Sequence, residues 1–227
     1  MKIKRMITFR VTLVLVAMAV FNSGCDLIDT IGRALAGYCE TPEWVVTRFD
    51  DPVRGGLCNA EDCSLRKAVQ ASNACPGTQT IRLPAGTYVL SLAGTDEEDN
   101  RTGDLDLTDS VNIIGDSEAV IDGGGLDRVL DIFSPAHARL TSITITNGNW
   151  VDGGGIRNGG TLTMLGGAIQ ENAGRRGGGL FNLGTAALES VVIQNNLADR
   201  GAGGGIYNEG NLSLTHGTIL GNSGERD

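Results

Sequence analysis

The residues best suited to chemistry in this chain are a cluster of carboxylates, one of its two histidines and a handful of cysteines. Gly94–Asp104 is a polar stretch holding Asp96, Glu97, Glu98, Asp99 and Asp104. Calcium takes oxygen ligands of this kind, but the spacing is not that of an EF-hand loop. A solvated, protruding acidic loop is the expected outcome, with no cofactor and no metal. Asp152 beside Trp150, and His216-Gly217, are the remaining catalytic candidates. A glycosidase needs two carboxylates about 5 or about 6.5–9.5 Å apart across the scissile bond. The glycine-rich part of the chain offers mainly Ser, Thr, Asn and Gly at alternating positions, and a single strand histidine such as His216 reads as a surface residue. Catalysis is therefore not the expected activity, and sugar cleavage by lyase or hydrolase chemistry is the runner-up.

The cysteines number five: Cys25, Cys39, Cys58, Cys63 and Cys75. The pair Cys58 and Cys63 could begin a zinc site, but no histidine lies nearby and only Cys39 and Cys75 could complete four ligands. In an exported protein disulfides are the expected use. Four cysteines allow three pairings, of which Cys58–Cys63 with Cys39–Cys75 is preferred.

What must position these groups is a repeat. Gly153-Gly154-Gly155-Ile156-Arg157-Asn158, Gly177-Gly178-Gly179-Leu180-Phe181-Asn182 and Gly203-Gly204-Gly205-Ile206-Tyr207-Asn208 open three copies, with steps of 24 and 26 residues. Each copy runs on to an isoleucine and then an asparagine three places later: Ile169/Asn172, Ile193/Asn196 and Ile219/Asn222. A period of this size belongs to stacked coils, in which no single unit buries its own apolar face. Thr161–Met164, Ala186–Leu188 and Asn211–Leu214 alternate apolar and polar residues, the period of a strand with one buried face. Glycine triplets suit corners and close backbone approach. Asparagines at fixed places suit structural ladders, so Asn158, Asn182, Asn208, Asn172, Asn196 and Asn222 are expected to bond from coil to coil. The fold class is all-β, a right-handed parallel β-helix. About six coils at a spacing near 4.8 Å would make a rod of roughly 30 Å.

At the N-terminus, Lys2, Lys4, Arg5 and Arg10 precede the apolar run Val11–Phe21, which suits a signal peptide and is too short to span a bilayer. Asn22-Ser23-Gly24-Cys25 follows and resembles a bacterial lipoprotein cleavage site, although Asn22 stands where a large aliphatic residue is usual. The resemblance implies lipid attachment at Cys25; ordinary cleavage near Ala17–Ala19 is the alternative. Asp26 after the cysteine resembles an inner-membrane retention signal of some bacteria. Residues 1–24 are thus read as a signal peptide, 25–43 as a tether, 44–79 as a cap and 80–227 as the β-helix, with repeats at 153–176, 177–202 and 203–227. Loss of residues 1–24 would move Lys plus Arg from 18 to 14 against 27 Asp plus Glu, and the formal charge from −9 to −13. That balance speaks against nucleic acid as a partner.

Within the cap, Trp44–Thr47 reads as a strand and Ser64–Asn73 as a helix with Leu65, Ala68, Val69 and Ser72 on its less polar face, ended by Pro76-Gly77. Laid across the first coil, such a helix would protect an open strand edge. Cys63-Ser64-Leu65-Arg66-Lys67-Ala68-Val69 resembles the signature of CSLREA-domain proteins, with Lys67 in place of Glu and Val69 in place of Ile. Thr102–Leu107, Ile113-Ile114-Gly115, Ile121-Asp122-Gly123 and Leu126-Asp127-Arg128 are similar to the same proteins, and the glycine repeats also to those of chlamydial polymorphic outer-membrane proteins. The likeness spans roughly 44–227. It implies an exported, pectin-lyase-like β-helix of the bacterial cell envelope, outer membrane or cell surface, usually without an assigned activity. Asp152 and His216-Gly217 are similar to fragments of polygalacturonase motifs, whose paired aspartates and Arg-x-Lys element are missing here.

Ile81–Leu90 reads as strand, turn, strand and starts the first full coil; Leu105–Ile121 and Val129–Thr146 supply two more. Arg157, Phe181 and Tyr207 occupy equivalent places in successive coils and, if outward, form a mixed cationic and aromatic stripe able to meet a glycan or protein. An exposed last coil predicts end-to-end self-association, or a chain shortened from a longer relative. The expected role is adhesion, binding or envelope structure, with membrane attachment through the acylated Cys25.

Overall fold

Three apolar columns run through the structure, a computed structural model that describes residues 39, 43–52, 58–95 and 97–224. In the first, Trp44, Ile81, Ile113, Leu140, Met164, Leu188 and Leu214 stack from turn to turn. The second is Tyr88 followed by five isoleucines, Ile121, Ile145, Ile169, Ile193 and Ile219. Leu105, Leu130, Ile156, Leu180 and Ile206 form the third. Each sits at every second residue of its strand, and most are fully buried. Burying one such side chain is worth about 1.5–3 kcal/mol, so the columns are the main stabilising element.

The strands that carry them are all paired in parallel. β2 (Gln79–Leu83), β3 (Gly86–Val89) and β4 (Leu105–Leu107) make the first turn; β5 (Val111–Asp122) and β6 (Leu130–Ile132) make the second; β7 (His137–Thr146) and β8 (Ile156–Asn158) make the third. β9 (Thr161–Gln170), β10 (Ala173–Arg176) and β11 (Leu180–Asn182) form the fourth, and β12 (Thr185–Glu189), β13 (Val192–Gln194), β14 (Leu197–Ala202) and β15 (Ile206–Asn208) the fifth. β16 (Asn211–Thr215), β17 (Thr218–Leu220) and β18 (Ser223–Gly224) begin a sixth, while β1 (Trp44–Val45) adds to β2 ahead of the first. The strands lie in sheets of ten, five and three. The protein is a parallel β-solenoid of about five turns rather than the six expected, because the sixth lacks its return strand among the described residues. On that last turn Ile219 and Leu220 are 57% and 61% exposed, whereas Ile193 one turn earlier is fully buried.

The asparagine ladders form as the spacing predicts. Asn158 Nδ2 donates to Asn182 Oδ1 at 2.6 Å, and Asn182 Nδ2 to Asn208 Oδ1 at 2.6 Å. In the second ladder Asn172 donates to Asn196 at 3.0 Å and Asn196 to Asn222 at 2.9 Å, while the same side chains donate to the carbonyls of Ile145, Ile169 and Ile193. The first ladder continues a column that is apolar in the earlier turns, Leu107 and Ile132. Where Ile132 meets Asn158 the amide has no neighbour of its kind, and Asn158 Oδ1 is buried without a hydrogen-bond partner. Asn182→Ala removes the buried middle of this ladder, leaving Asn158 Nδ2 with only the Thr185 carbonyl and Asn208 Oδ1 facing solvent. It should cost about 2–4 kcal/mol, read as a lower denaturant midpoint with unchanged slope.

Two corners also repeat. Asn147, Glu171 and Asn195 share left-handed φ values of 53–56° with Gly221 at 62° one turn further on. Ser142, Gly166, Ser190 and His216 occupy the other corner, with φ between 54° and 65°. His216 is thus a turn residue, exposed at a place filled elsewhere by serine or glycine.

The one helix among the described elements, α1 (Leu65–Ala74), packs on β2 and β4. Ser64 is its N-cap, accepting from Lys67 N, and the Cys75 N–H closes its other end on the Ser72 carbonyl. Leu65, Ala68, Val69 and Ser72 are buried as expected, and so are Arg66, Lys67 and Ala71. Cys58 is bonded to Cys63. Cys39 and Cys75 are disulfide-bonded as well, so the chain holds two disulfides, which suits an oxidising compartment. The chain divides into two units, Met1–Thr41 and Pro42–Asp227. The expected signal peptide, the lipid site Cys25 and most of the tether lie outside the described residues. Among those residues no helix is long and apolar enough to cross a membrane.

Candidate functional site

The middle residues of β4, β6, β8, β11 and β15 stand in one column: Asp106, Asp131, Arg157, Phe181 and Tyr207. Their neighbours on either side, such as Leu130 and Ile132, belong to the columns that fill the interior, so alternation sends the middle residue to the other face. The expected stripe Arg157–Phe181–Tyr207 is therefore real in register and longer than anticipated, with two aspartates continuing it.

Its surroundings differ along its length. At the aromatic end the Phe181 and Tyr207 rings stack with centroids 5.6 Å apart. Arg176, from β10, lies over them at 4.8 Å from Phe181 and 5.8 Å from Tyr207, and is held there by a two-pronged pair to Asp152 at 2.7 and 2.8 Å. Phe181 is accordingly buried, while Tyr207 is half-buried and Arg176 exposed. The open part of the stripe is thus a guanidinium and a phenol, with Phe181 as their support. Asp152, a catalytic candidate by sequence, is engaged in positioning Arg176.

At the acidic end a pocket of about 310 Å³ opens between Glu97, Glu98, Asp104, Asp127, Arg128 and the column residues Asp106, Asp131 and Arg157. Asp104, Asp106 and Asp131 are all buried, and one carboxylate oxygen from each lies within 4.8 Å of the others. Arg128 Nε is 2.8 Å from Asp104 Oδ2, an ionic contact without hydrogen-bond alignment, and Arg128 also reaches Asp131 at 3.3 Å. Arg157 donates to Asp131 Oδ1 at 2.9 Å. Burial, then the neighbouring Asp106, push the Asp104 carboxyl up to about 8; Arg128 opposes the rise without cancelling it. Burial, then Asp131 and Glu97, push Asp106 up to about 7.

The loop that roofs this pocket does not protrude as a solvated turn over its whole length. Asn100 is buried and bonds the Asp106 backbone in both directions, each at 2.8 Å. Glu97 accepts from the backbone N–H groups of Asp99, Arg101 and Thr102, so its carboxylate shapes the loop. Arg66 of α1 donates to the carbonyls of Thr102, Gly103 and Asp104, and pairs with buried Asp51 at 2.7 and 2.8 Å. The solvated character holds for Glu98 and Asp99; Asp96 lies outside the described residues.

A larger and shallower groove of about 400 Å³ lies on the ten-stranded sheet, lined by Asn112, His137, Arg139, Thr161 and Thr163 among others. It holds no carboxylate, so the clustered ionisable chemistry belongs to the smaller pocket. Compared with known protein families, with curated proteins and with solved structures, the chain matches none.

Sequence reasoning assigned no site role to Asp106, Asp131, Arg128 or Arg176, although Asp106 and Arg128 fall in the stretches that resemble CSLREA-domain proteins. The signal for the first two was present: Leu105-Asp106-Leu107 and Leu130-Asp131-Ile132 stand 25 residues apart, in step with Ile156-Arg157-Asn158 and its successors.

Proposed function

We propose that this chain is a non-catalytic, exported protein of the bacterial cell envelope, a right-handed β-helix related to CSLREA-domain proteins and anchored by lipid at Cys25. Helix α1 serves as the cap of its first turn. The rod binds a cell-surface glycan or protein and associates end to end with further copies.

The observation that carries the binding role is the ordered aromatic and cationic end of the middle column. Arg176 pairs with Asp152 and lies over the stacked rings of Phe181 and Tyr207, so a partly exposed cationic and aromatic platform is already assembled. The two disulfides support an oxidising destination. With Tyr207→Ala, binding to intact bacterial envelopes should weaken at least about tenfold, the loss expected for an aromatic anchor, while circular dichroism stays unchanged. Equal binding by the variant would dispose of the platform.

A second reading, a glycan-cleaving enzyme, draws on the Asp104 and Asp106 carboxyls, whose proton affinity is raised into the neutral range as a general acid requires. Against it stand the cationic contacts that engage Asp104 and Asp131 and the burial of all three aspartates.

A further inference from the structure

We propose that Asp104, Asp106 and Asp131 form a calcium site that fastens the loop before β4 onto β4 and β6. Two observations meet there. First, the three carboxylates converge within 4.8 Å although they come from a loop end and two adjacent strands, and their residues are only 6%, 2% and 6% exposed. Secondly, Asp106 Oδ2 is buried with no hydrogen-bond partner, on a side chain that lines the pocket.

The charges in the pocket do not balance. Arg128 serves Asp104 and Asp131, and Arg157 serves Asp131. Arg66, the other guanidinium at this loop, is committed to Asp51 and three backbone carbonyls. Among the described residues no ion pair reaches Asp106: Arg128 acts on it only from a distance, and the Asn100 backbone supports the carboxylate without meeting its buried Oδ2. A buried carboxylate oxygen without a donor is costly unless a proton, a water or a cation meets it. Three convergent carboxylates in a pocket that also includes Asp127 favour the cation. The donors are all oxygen, which selects a hard ion. Calcium accepts several carboxylates in flexible geometry, whereas magnesium prefers one or two and keeps its water. This inference does not depend on whether the rod binds or cleaves its partner.

The test is calcium titration of the full chain by calorimetry, with thermal unfolding in calcium and in chelator. One calcium per chain is expected, with a dissociation constant of about 10⁻³ M or tighter, as in extracellular modules. Calcium should raise the Tm, and Asp106→Asn should weaken binding at least about tenfold. The calcium-dependent change in Tm is read within each variant, so any loss in the metal-free form cancels. Asp104→Asn, a second variant, should behave like Asp106→Asn, and exposed Asp99→Asn should bind as the parent does. No heat and no Tm change in the parent, or undiminished binding in both Asp104→Asn and Asp106→Asn, would overturn the site. Magnesium binding as tightly as calcium would overturn the choice of ion.

Discussion

Arg66→Ala should destabilise the protein by about 3–5 kcal/mol, the cost of leaving a buried charge without its partner. Arg66 and Asp51 are matched fork to fork, and their side chains are 4% and 3% exposed. Among the described residues, alanine would leave the Asp51 carboxylate with the Ser91 and Leu92 backbone N–H groups, at 3.1 and 3.4 Å. It would also remove the donor shared by the carbonyls of Thr102, Gly103 and Asp104. The loss should therefore have a local signature: faster amide exchange over 97–106, beyond that of the last turns. Arg66→Lys keeps the charge but not the five-donor fork, and should recover only part of the stability. A denaturant midpoint unchanged in Arg66→Ala would contradict this assignment.

Gly178→Ala should cost more than about 3 kcal/mol, and for a different reason. A Cβ there would lie 2.1 Å from the Leu197 carbonyl oxygen and 2.7 Å from that of Gly204. Those are backbone atoms and cannot swing aside as a side chain could. Moving them would strain the ladder in which Gly178 donates to Gly203 and Gly179 to Gly204. Gly166→Ala is the control. Its φ of +65° disfavours alanine, but nothing lies within 4 Å of the new Cβ, so about 1–2 kcal/mol is expected. Amide exchange should localise the Gly178→Ala damage to the turns holding Leu180–Gly224. Equal losses in the two variants would show that backbone angle, not room, governs these positions.

The stacked architecture was legible because each interior column keeps an apolar side chain at one place, and one of them repeats a single residue type, as Ile145, Ile169 and Ile193 do. The ladders of Asn158 and Asn172 could be read for the same reason. The acidic pocket was not. Asp104 was visible only as part of a hydrophilic loop, since the contacts that draw this segment inward come from elsewhere: Arg66 of the helix binds the Asp104 carbonyl, and Asn100 of the loop binds the Asp106 backbone. Arg66 itself read as an ordinary helix former because its partners stand 15 and 36–38 residues away. Phe181 and Tyr207 were found by register, but the cover that Arg176 provides depends on β10, whose residues carry no repeated signature. Local pattern gives the coil; contacts between a coil and its loops need the folded chain.

The central claim is that this rod binds without cleaving. The most direct measurement incubates the protein with acidic and neutral polysaccharides, with and without calcium, following retention, unsaturated products and new reducing ends together. Retention without either product is predicted, weakened in Tyr207→Ala. Cleavage that disappears in Asp104→Asn or Asp106→Asn would contradict the account and make the acidic pocket an active site.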